Sequence, residues 1–374
     1  MKYYIIAGEA SGDLHGSNLI REIKQRDPAA NIRCWGGDLM SAAGGMLVKH
    51  YAELAFMGFI EVIANLRTIF RNIDFCKEDI TKFQPDAIIF IDYPGFNLRI
   101  AKWAKEKNYT TIYYISPQVW AWKENRVKAI KRDIDKMLVI LPFELEFYKK
   151  WNYPVEYVGH PLVEVIENFI KTHDNIHAQD NIIALLPGSR KQEILKKLPV
   201  MLSLSSEFPE YEFVVAKAPG QPDDFYTPLL APFPNVSSVR NDTYSLLMKS
   251  RGALVTSGTA TLETALFGVP EVVCYKGSSI SYQIAKRLIK VKYISLVNLI
   301  MDRLIVKELI QDDLNISNLR TELKRVLEDG PERNRIKKDY AELKAILQEG
   351  GNASAHAAQS ICLFMQSVSA SSIV

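Results

Sequence analysis

Two doubly wound α/β domains, each Rossmann-like, are what this sequence predicts, and three observations predict them. Short apolar runs alternate with amphipathic helical stretches, the pattern of parallel sheets buried on both faces. The alternation comes in two series separated by the polar segment Lys171–Asn181. The length, 374 residues, suits two such domains better than one.

In the first series the strand candidates are Tyr3–Ala7, Ile32–Trp35, Ala87–Ile91, Thr111–Ile115, Met137–Leu141 and Val155–Val158, with helical patterns such as Leu14–Gln25 and Leu98–Lys107 in the gaps. A linker is expected near residues 165–180. The second series runs through Ile182–Leu186, Glu212–Ala216, Val236–Val239, Ala253–Val255 and Glu271–Tyr275. Charged helical sequence follows from Leu319 to Gln348, and the tail Ser367–Val374 is expected to fray. The expected division is an N-terminal domain at 1-166, a C-terminal domain at 167-345 and a terminal segment at 346-374.

Composition narrows the function. Hydrophobic residues make up 48% of the chain, ample for large cores, and the net charge of +3 gives no overall signal for nucleic acid. The four cysteines, Cys34, Cys76, Cys274 and Cys362, show no metal-binding spacing and read as small hydrophobes in a reducing compartment. Met1-Lys2 leads directly into the first strand, so no signal peptide is expected. No uncharged apolar run reaches the roughly 18–20 residues of a spanning helix. A cytoplasmic protein, free to touch a membrane surface, is the expectation.

Ligands of open α/β sheets bind beyond the carboxyl ends of the strands, so chemistry is sought in the loops that follow them. Ala253–Val255 runs into Ser257-Gly258-Thr259-Ala260-Thr261-Leu262-Glu263. Free N–H groups at such a helix start favour phosphate, and Glu263, one turn in, can accept from ribose hydroxyls. An ordinary capped helix would use the same hydroxyl residues. Ile182–Leu186 runs into Pro187-Gly188-Ser189-Arg190-Lys191, where Arg190 can grip a diphosphate or stand as a solvated surface charge. Both turns follow strands of one domain, which together suggests a nucleoside diphosphate.

In the first domain, Tyr3–Ala7 runs into Gly8-Glu9-Ala10-Ser11-Gly12-Asp13-Leu14-His15-Gly16. Glycines four apart match neither a dinucleotide fingerprint nor a Walker loop, yet they let a ligand approach and place Glu9, Ser11, Gly12 and Asp13 at the expected cleft. His15 reads as a helix-face residue. Ala87–Ile91 ends in Asp92-Tyr93-Pro94-Gly95, which puts an acid where a general base could work. A turn cap is the alternative. Thr111–Ile115 runs into Ser116-Pro117-Gln118-Val119-Trp120-Ala121-Trp122, followed by Lys123, Arg126 and Lys128. Aromatics beside cations suit sugar stacking or phosphate contact; core packing is the competing reading. Asp133-Ile134-Asp135 fits the D-x-D pattern of metal-dependent transferases, but it precedes a strand and so lies at the wrong end of the sheet. The six histidines show no paired ligand spacing. No metal and no cofactor are predicted.

Phe59, Val62, Ile63, Leu66, Ile69, Phe70 and Ile73 recur at helical spacing, with Arg67, Arg71 and Lys77 alongside. Such a stripe packs into a core or lies on an anionic leaflet.

Taken together, these stretches resemble the lipid A disaccharide synthase family of the glycosyltransferase B (GT-B) fold, glycosyltransferase family 19. The resemblance runs in order from Ala7-Gly8-Glu9-Ala10-Ser11-Gly12-Asp13 through Phe56-Met57-Gly58, Ile91-Asp92, Ser116-Pro117-Gln118-Val119-Trp120-Ala121-Trp122 and Val158-Gly159-His160. It continues through Leu185–Arg190, Ser257–Ala260 and Ser295-Leu296-Val297-Asn298-Leu299. It implies an inverting, metal-independent β-1,6 transfer of 2,3-diacylglucosamine from a UDP-sugar lipid donor to 2,3-diacylglucosamine 1-phosphate, with loss of UDP, at the inner face of the cytoplasmic membrane. Asp92 matches the base the family is thought to use, and Glu9 joins it as a candidate catalytic carboxylate in the N-terminal cleft loop. Arg190, with Gly188 and Ser189, would offset charge on the departing diphosphate, helped by Ser257, Gly258 and Thr259. Glu263 and Asn298 match nucleoside contacts. Ser11, Gly12, Asp13, Gln118, Trp120 and Trp122 belong to the acceptor side of the cleft. The lipid substrates favour the membrane-facing reading of Phe59–Ile73. The terminal segment is implied to return to the first domain or to cross to the partner subunit of a homodimer. Where many relatives carry a second acid shortly after the base, this chain has Gly95. A UDP-sugar epimerase of the same fold and a non-catalytic nucleotide-sugar-binding protein are the rival readings.

Overall fold

The structure, a computed structural model, describes residues 1–53, 66–278, 282 and 291–371. The chain divides into two units, Met1–Pro161 with Leu347–Val374, and Leu162–Ile346. The break anticipated after residue 166 falls inside a continuous helix, Pro161–Thr172.

In the first unit, β1 (Lys2–Ala7), β2 (Asn31–Gly36), β3 (Met46–His50), β4 (Ala87–Ile91), β5 (Thr110–Tyr114), β6 (Lys136–Val139) and β7 (Glu156–Tyr157) form one sheet. Its order is β3-β2-β1-β4-β5-β6-β7, and neighbours pair in parallel, Ile91 of β4 opposite Ala7 of β1 and Tyr114 of β5. Successive residues alternate between two cores. Tyr3, Ile5 and Ala7 face one, with Leu19, Ile20 and Ile23 of helix Ala10–Arg26. Tyr4 and Ile6 face the other, with Ile73, Cys76 and Ile80 of helix Leu66–Phe83 and Ile100, Ala101 and Ala104 of helix Pro94–Glu106. This double burial is why β1 and β4 read as unbroken apolar runs. Burying one of these aliphatic side chains stabilises the fold by about 1.5–3 kcal/mol.

The chain's last helix, Ala353–Ser371, lies in the first of those cores through Ala357, Ala358, Ile361 and Met365. The small alanines allow close packing against helix Ala10–Arg26. Of the tail expected to fray from Ser367, the residues through Ser371 are helical.

In the second unit, β8 (Ile182–Leu186), β9 (Glu212–Lys217), β10 (Val236–Arg240), β11 (Gly252–Thr256), β12 (Glu271–Tyr275) and β13 (Lys307–Ile310) form a parallel sheet ordered β10-β9-β8-β11-β12-β13. The charged sequence from Leu319 to Gln348 forms two helices, Ile316–Leu327 and Pro331–Gln348, broken at Gly330-Pro331 as proline demands.

The strands that sequence reading missed, β3 and β13, are sheet edges with mostly half-exposed residues. Edge strands mix polar and apolar residues, which erases the apolar run. In each sheet the strand order reverses direction once, between β1 and β4 and between β8 and β11. The loops after those strands diverge and leave a crevice.

Candidate active site

The crevice of the second unit is a pocket of about 480 Å³. The loop after β8 contributes Gly188, Ser189 and Arg190; the loop after β11 contributes Ser257, Gly258 and Thr259, with Glu263 behind them. Both turns depend on left-handed glycine. Gly188 has φ +109° and Gly258 φ +130°, conformations that cost a side-chain-bearing residue about 1–3 kcal/mol. A Cβ on Gly188 would also stand 2.9 Å from a Glu193 carboxylate oxygen. Helix Thr259–Leu266 starts at Gly258, so its first N–H groups have no preceding helical carbonyl and face the pocket. The Ser257 hydroxyl donates to the Ile294 carbonyl (2.8 Å), fixing the turn.

The side chain of Arg190 is 68% exposed and touches Glu193 at 3.4 Å, so it can swing onto an anion. Glu263 accepts from the Tyr244 hydroxyl at 3.0 Å, and desolvation holds its carboxyl above the usual range. Lys197 escaped sequence reasoning. It is 2% exposed, donates to the Thr256 hydroxyl and stands 3.7 Å from Glu193. Burial lowers its pKa against the pull of Glu193. The cation therefore braces two pocket residues, Thr256 and Glu193, from behind. A trace of it was legible, since Lys197 interrupts the otherwise apolar face Ile194, Leu198, Met201 at helical spacing.

Asn298 does not line this pocket. It is fully buried, and its amide donates to the Val306 carbonyl and Glu308 and accepts from the N–H groups of Ile305 and Val306. It staples helix Leu296–Met301 to β13, a positioning task rather than the nucleoside contact expected of it.

In the first unit the crevice lies between the loops after β1 and β4, and it brings Glu9 and Asp92 together electrostatically. Asp92 and Tyr93 both have left-handed backbones, φ +43° and +48°, uncommon for residues with a Cβ. Three contacts hold the turn. Asn97 Nδ2 donates to the Asp92 carbonyl at 2.8 Å, Tyr113 Oη donates to the same oxygen at 2.5 Å, and the Tyr93 ring lies on Gly8, where a Cβ would stand 2.3 Å from it. Gly8 is thus required by close approach. Burial, aided by the negative charge of Glu9 and opposed by the Tyr93 N–H, raises the Asp92 carboxyl to about 6. At neutral pH it is ionised but a far stronger base than an ordinary aspartate, the setting of a general base. Glu9 itself is exposed.

Asp13 departs from expectation. It is 3% exposed and accepts from the backbone N–H groups of Gly37, Leu39 and Met40, capping helix Asp38–Ala42. Its oxygens are spent on structure because the helix turns it away from the crevice. Ser11 is exposed, whereas Gly12 is buried and packs on Ala7. Gly95 is exposed, and a side chain there would meet nothing within 4 Å, so the missing second acid is not a steric requirement. His15 is half-buried and neutral, its pKa lowered to about 4 by desolvation; buried His160 is lowered to about 3 by desolvation and by His15.

Beyond β5 the backbone passes through Ile115 at φ +67° into the aromatic loop. Gln118 is exposed. Trp120 packs edge-on to Phe143 (4.9 Å), while Trp122 is 50% exposed, so the two tryptophans divide between core and surface. Beneath them Glu144 is 1% exposed. Desolvation raises its carboxyl to about 8 although Ser116, Trp120 and the Leu141 and Ile140 N–H groups favour the charge. At neutral pH this acid is protonated, and its carboxyl accepts from the Leu141 N–H in the chain after β6 (3.0 Å). No sequence signal marked it. The pair Asp133 and Asp135 is structural: Asp133 binds Arg132 through both oxygens, and Asp135 accepts from the Thr111 N–H.

Phe59, Val62 and Ile63 lie outside the described residues, as does the side chain of Leu66. The rest of the stripe splits. Ile73 is 4% exposed and Ile69 packs against the same core, which corrects their membrane-facing assignment. Ile69, Ile73, Cys76 and Ile80 recur at helical spacing on the sheet side. Phe70 points away, 54% exposed. Among the described residues no helix is long and apolar enough to cross a membrane.

Residues 3–362 match the family described as lipid-A-disaccharide synthetase. Lipid-A-disaccharide synthase of Geobacter metallireducens is 38% identical, with 93% of each chain covered. That of Syntrophus aciditrophicus is 36% identical over 97% of this chain and 98% of its own. Solved structures are more distant and speak for the fold alone. UDP-GlcNAc 2-epimerase from Neisseria meningitidis bound to UDP-GlcNAc superposes with a TM-score of 0.66 at 14% identity, covering 97% of this chain and 100% of that one. The calicheamicin glycosyltransferase CalG4 gives 0.61 at 15%, covering 98% of both. Epimerases and glycosyltransferases share this GT-B architecture, so the fold does not separate them; sequence kinship does.

Proposed function

The chain belongs to the lipid-A-disaccharide synthase family of glycosyltransferases, and on that premise we propose that it transfers 2,3-diacylglucosamine from its UDP carrier to 2,3-diacylglucosamine 1-phosphate. The observation that carries the reading is Asp92, a carboxylate raised to about 6 on a strained turn at the switch point of its sheet. Its oxygen takes the proton of the acceptor 6-hydroxyl as that oxygen attacks the anomeric carbon. The anomeric carbon–phosphate oxygen bond breaks, its electron pair leaves with UDP, and attack opposite the leaving group inverts the centre. Arg190 and the first N–H groups of helix Thr259–Leu266 offset the charge growing on the diphosphate. Lys197 holds the pocket wall behind them, and Glu263 accepts from the nucleoside. Charge on the leaving group is met by these donors, so no step calls for a metal ion.

Both substrates are lipids, so the enzyme works at the inner face of the cytoplasmic membrane. Exposed Phe70 beside exposed Arg67 and Arg71 supports peripheral attachment. Mass spectrometry after incubation with both lipid substrates tests the reading. Disaccharide 1-phosphate together with UDP is expected; an epimerised UDP-sugar without disaccharide would overturn it in favour of the epimerase alternative.

A further inference from the structure

Trp122, Lys123 and Arg126 form a cluster that the transfer mechanism above leaves unused. The Lys123 ammonium lies 4.1 Å from the centre of the Trp122 ring, and the Arg126 guanidinium 5.6 Å from it. Holding two cations against one indole restricts them to a small patch. The ring itself is 50% exposed, so the patch is open to solvent. Burial, and after it the like charge of Arg126, disfavours the Lys123 ammonium. Among the described residues no ion pair ties either side chain to a carboxylate. Adjacent Glu124 has a partner of its own. Two cations thus repel each other on a preformed surface, an arrangement that an arriving anion relieves.

The position of the cluster narrows what that anion is. Lys123 closes the short helix Val119–Trp122 that follows β5, and Arg126 ends the turn Glu124–Arg126. β5 pairs in parallel with β4, Tyr114 opposite Ile91, so this loop leaves the same edge of the sheet as Asp92. Trp120, packed on Phe143, fixes the loop on its inner side. The diphosphate has its own place in the other unit, between Arg190 and the Gly258 turn. Two cations also fall short of the extended basic surface that nucleic acid requires. A phosphomonoester, carrying about −1.5 to −2 charges near neutral pH, matches two cations.

We propose that Trp122, Lys123 and Arg126 dock a phosphomonoester borne on the acceptor sugar, while its hydroxyl lies at Asp92. The assignment rests on the glycosyltransferase reading for its acceptor but not for its anion chemistry. An anionic membrane headgroup offers similar chemistry, and the experiment separates the two.

The full chain and the double variant Lys123→Ala/Arg126→Ala are compared in two arms. In the kinetic arm, with the phosphorylated acceptor, the variant's acceptor KM rises tenfold or more while kcat and donor KM stay within about twofold. With the same acceptor lacking its phosphate, wild type and variant have equal KM values. Equal losses on both acceptors, or no loss on either, overturn the proposal. In the binding arm, glucosamine 1-phosphate is titrated calorimetrically into both proteins. Wild type binds it more tightly than glucosamine, and the variant binds both alike; absence of that preference in wild type overturns the proposal even if no disaccharide is ever formed, so it is judged apart from the transferase reading. Co-sedimentation with anionic against neutral vesicles completes the test. A variant that loses vesicle binding but keeps its acceptor KM assigns the cations to the membrane surface and overturns the acceptor site.

Discussion

Replacing Asp92 by Asn should remove activity and raise stability at once. The carboxyl is lifted from an ordinary 3.8 to about 6, so the native state binds this proton more tightly than the unfolded chain. Between about pH 4 and 6 the native protein therefore holds the extra proton, and stability falls as pH rises through that window. Above about pH 6 the loss is complete. Two pKa units correspond to about 3 kcal/mol, trimmed toward 2 because Asp92 is not fully buried. Asn tolerates the left-handed backbone at φ +43° and carries no charge. At about pH 7.5 the variant should melt roughly 4–8 °C higher, given about 2–4 °C per kcal/mol for a unit of this size. Near pH 4 the two proteins should melt together. Turnover should fall about 10²–10⁴-fold, with UDP binding retained. The wild-type kcat/KM should show an acid limb near pH 6, reaching about a tenth of its plateau one unit lower. Differential scanning calorimetry at both pH values and a disaccharide assay across pH 5–8 provide the measurements. Undiminished turnover in the variant refutes the base assignment. An unchanged melting temperature at pH 7.5 refutes the desolvated carboxylate.

Glu9→Gln removes the negative charge that helps raise Asp92, so the acid limb should move to lower pH; a limb that stays fixed means the two carboxylates do not interact. Lys197→Met removes the buried cation that braces Thr256 and Glu193; a charged hydrogen bond is worth about 1.5–3 kcal/mol, so the Kd for UDP should rise about 10–100-fold by calorimetry, with acceptor KM unaffected. Asp13→Ala strips three backbone N–H groups of their acceptor and should destabilise the first unit by about 2–3 kcal/mol in denaturant unfolding. The surviving folded fraction should keep normal KM values, whereas a raised acceptor KM would return Asp13 to the crevice.

The comparison between chain and fold turns on particular residues. Asp92 and the turns at Gly188 and Gly258 were legible because strand-to-loop positions follow from apolar periodicity, and open parallel sheets place ligands at those carboxyl ends. Lys197 was nearly legible as a charge on an apolar helix face. Glu144 was not: its protonated state depends on desolvation by residues distant in sequence. Asp13 and Asn298 were misjudged for the same reason. Residue type and loop position suited a site, but the carboxylate of one and the amide of the other are consumed by backbone groups that only folding brings near.

The sequence by itself determined the alternation of strand and helix, the two-domain plan and the loops that carry Asp92, Arg190 and Gly258. These follow from local period and backbone chemistry, which need no partner. The tertiary structure alone decided that Asp92 sits near a pKa of 6 beside Glu9, that Ile73 belongs to the core while Phe70 faces out, and that the last helix packs on the first. Each of these depends on which surfaces lose water when distant segments meet, and that is fixed by packing rather than by order along the chain.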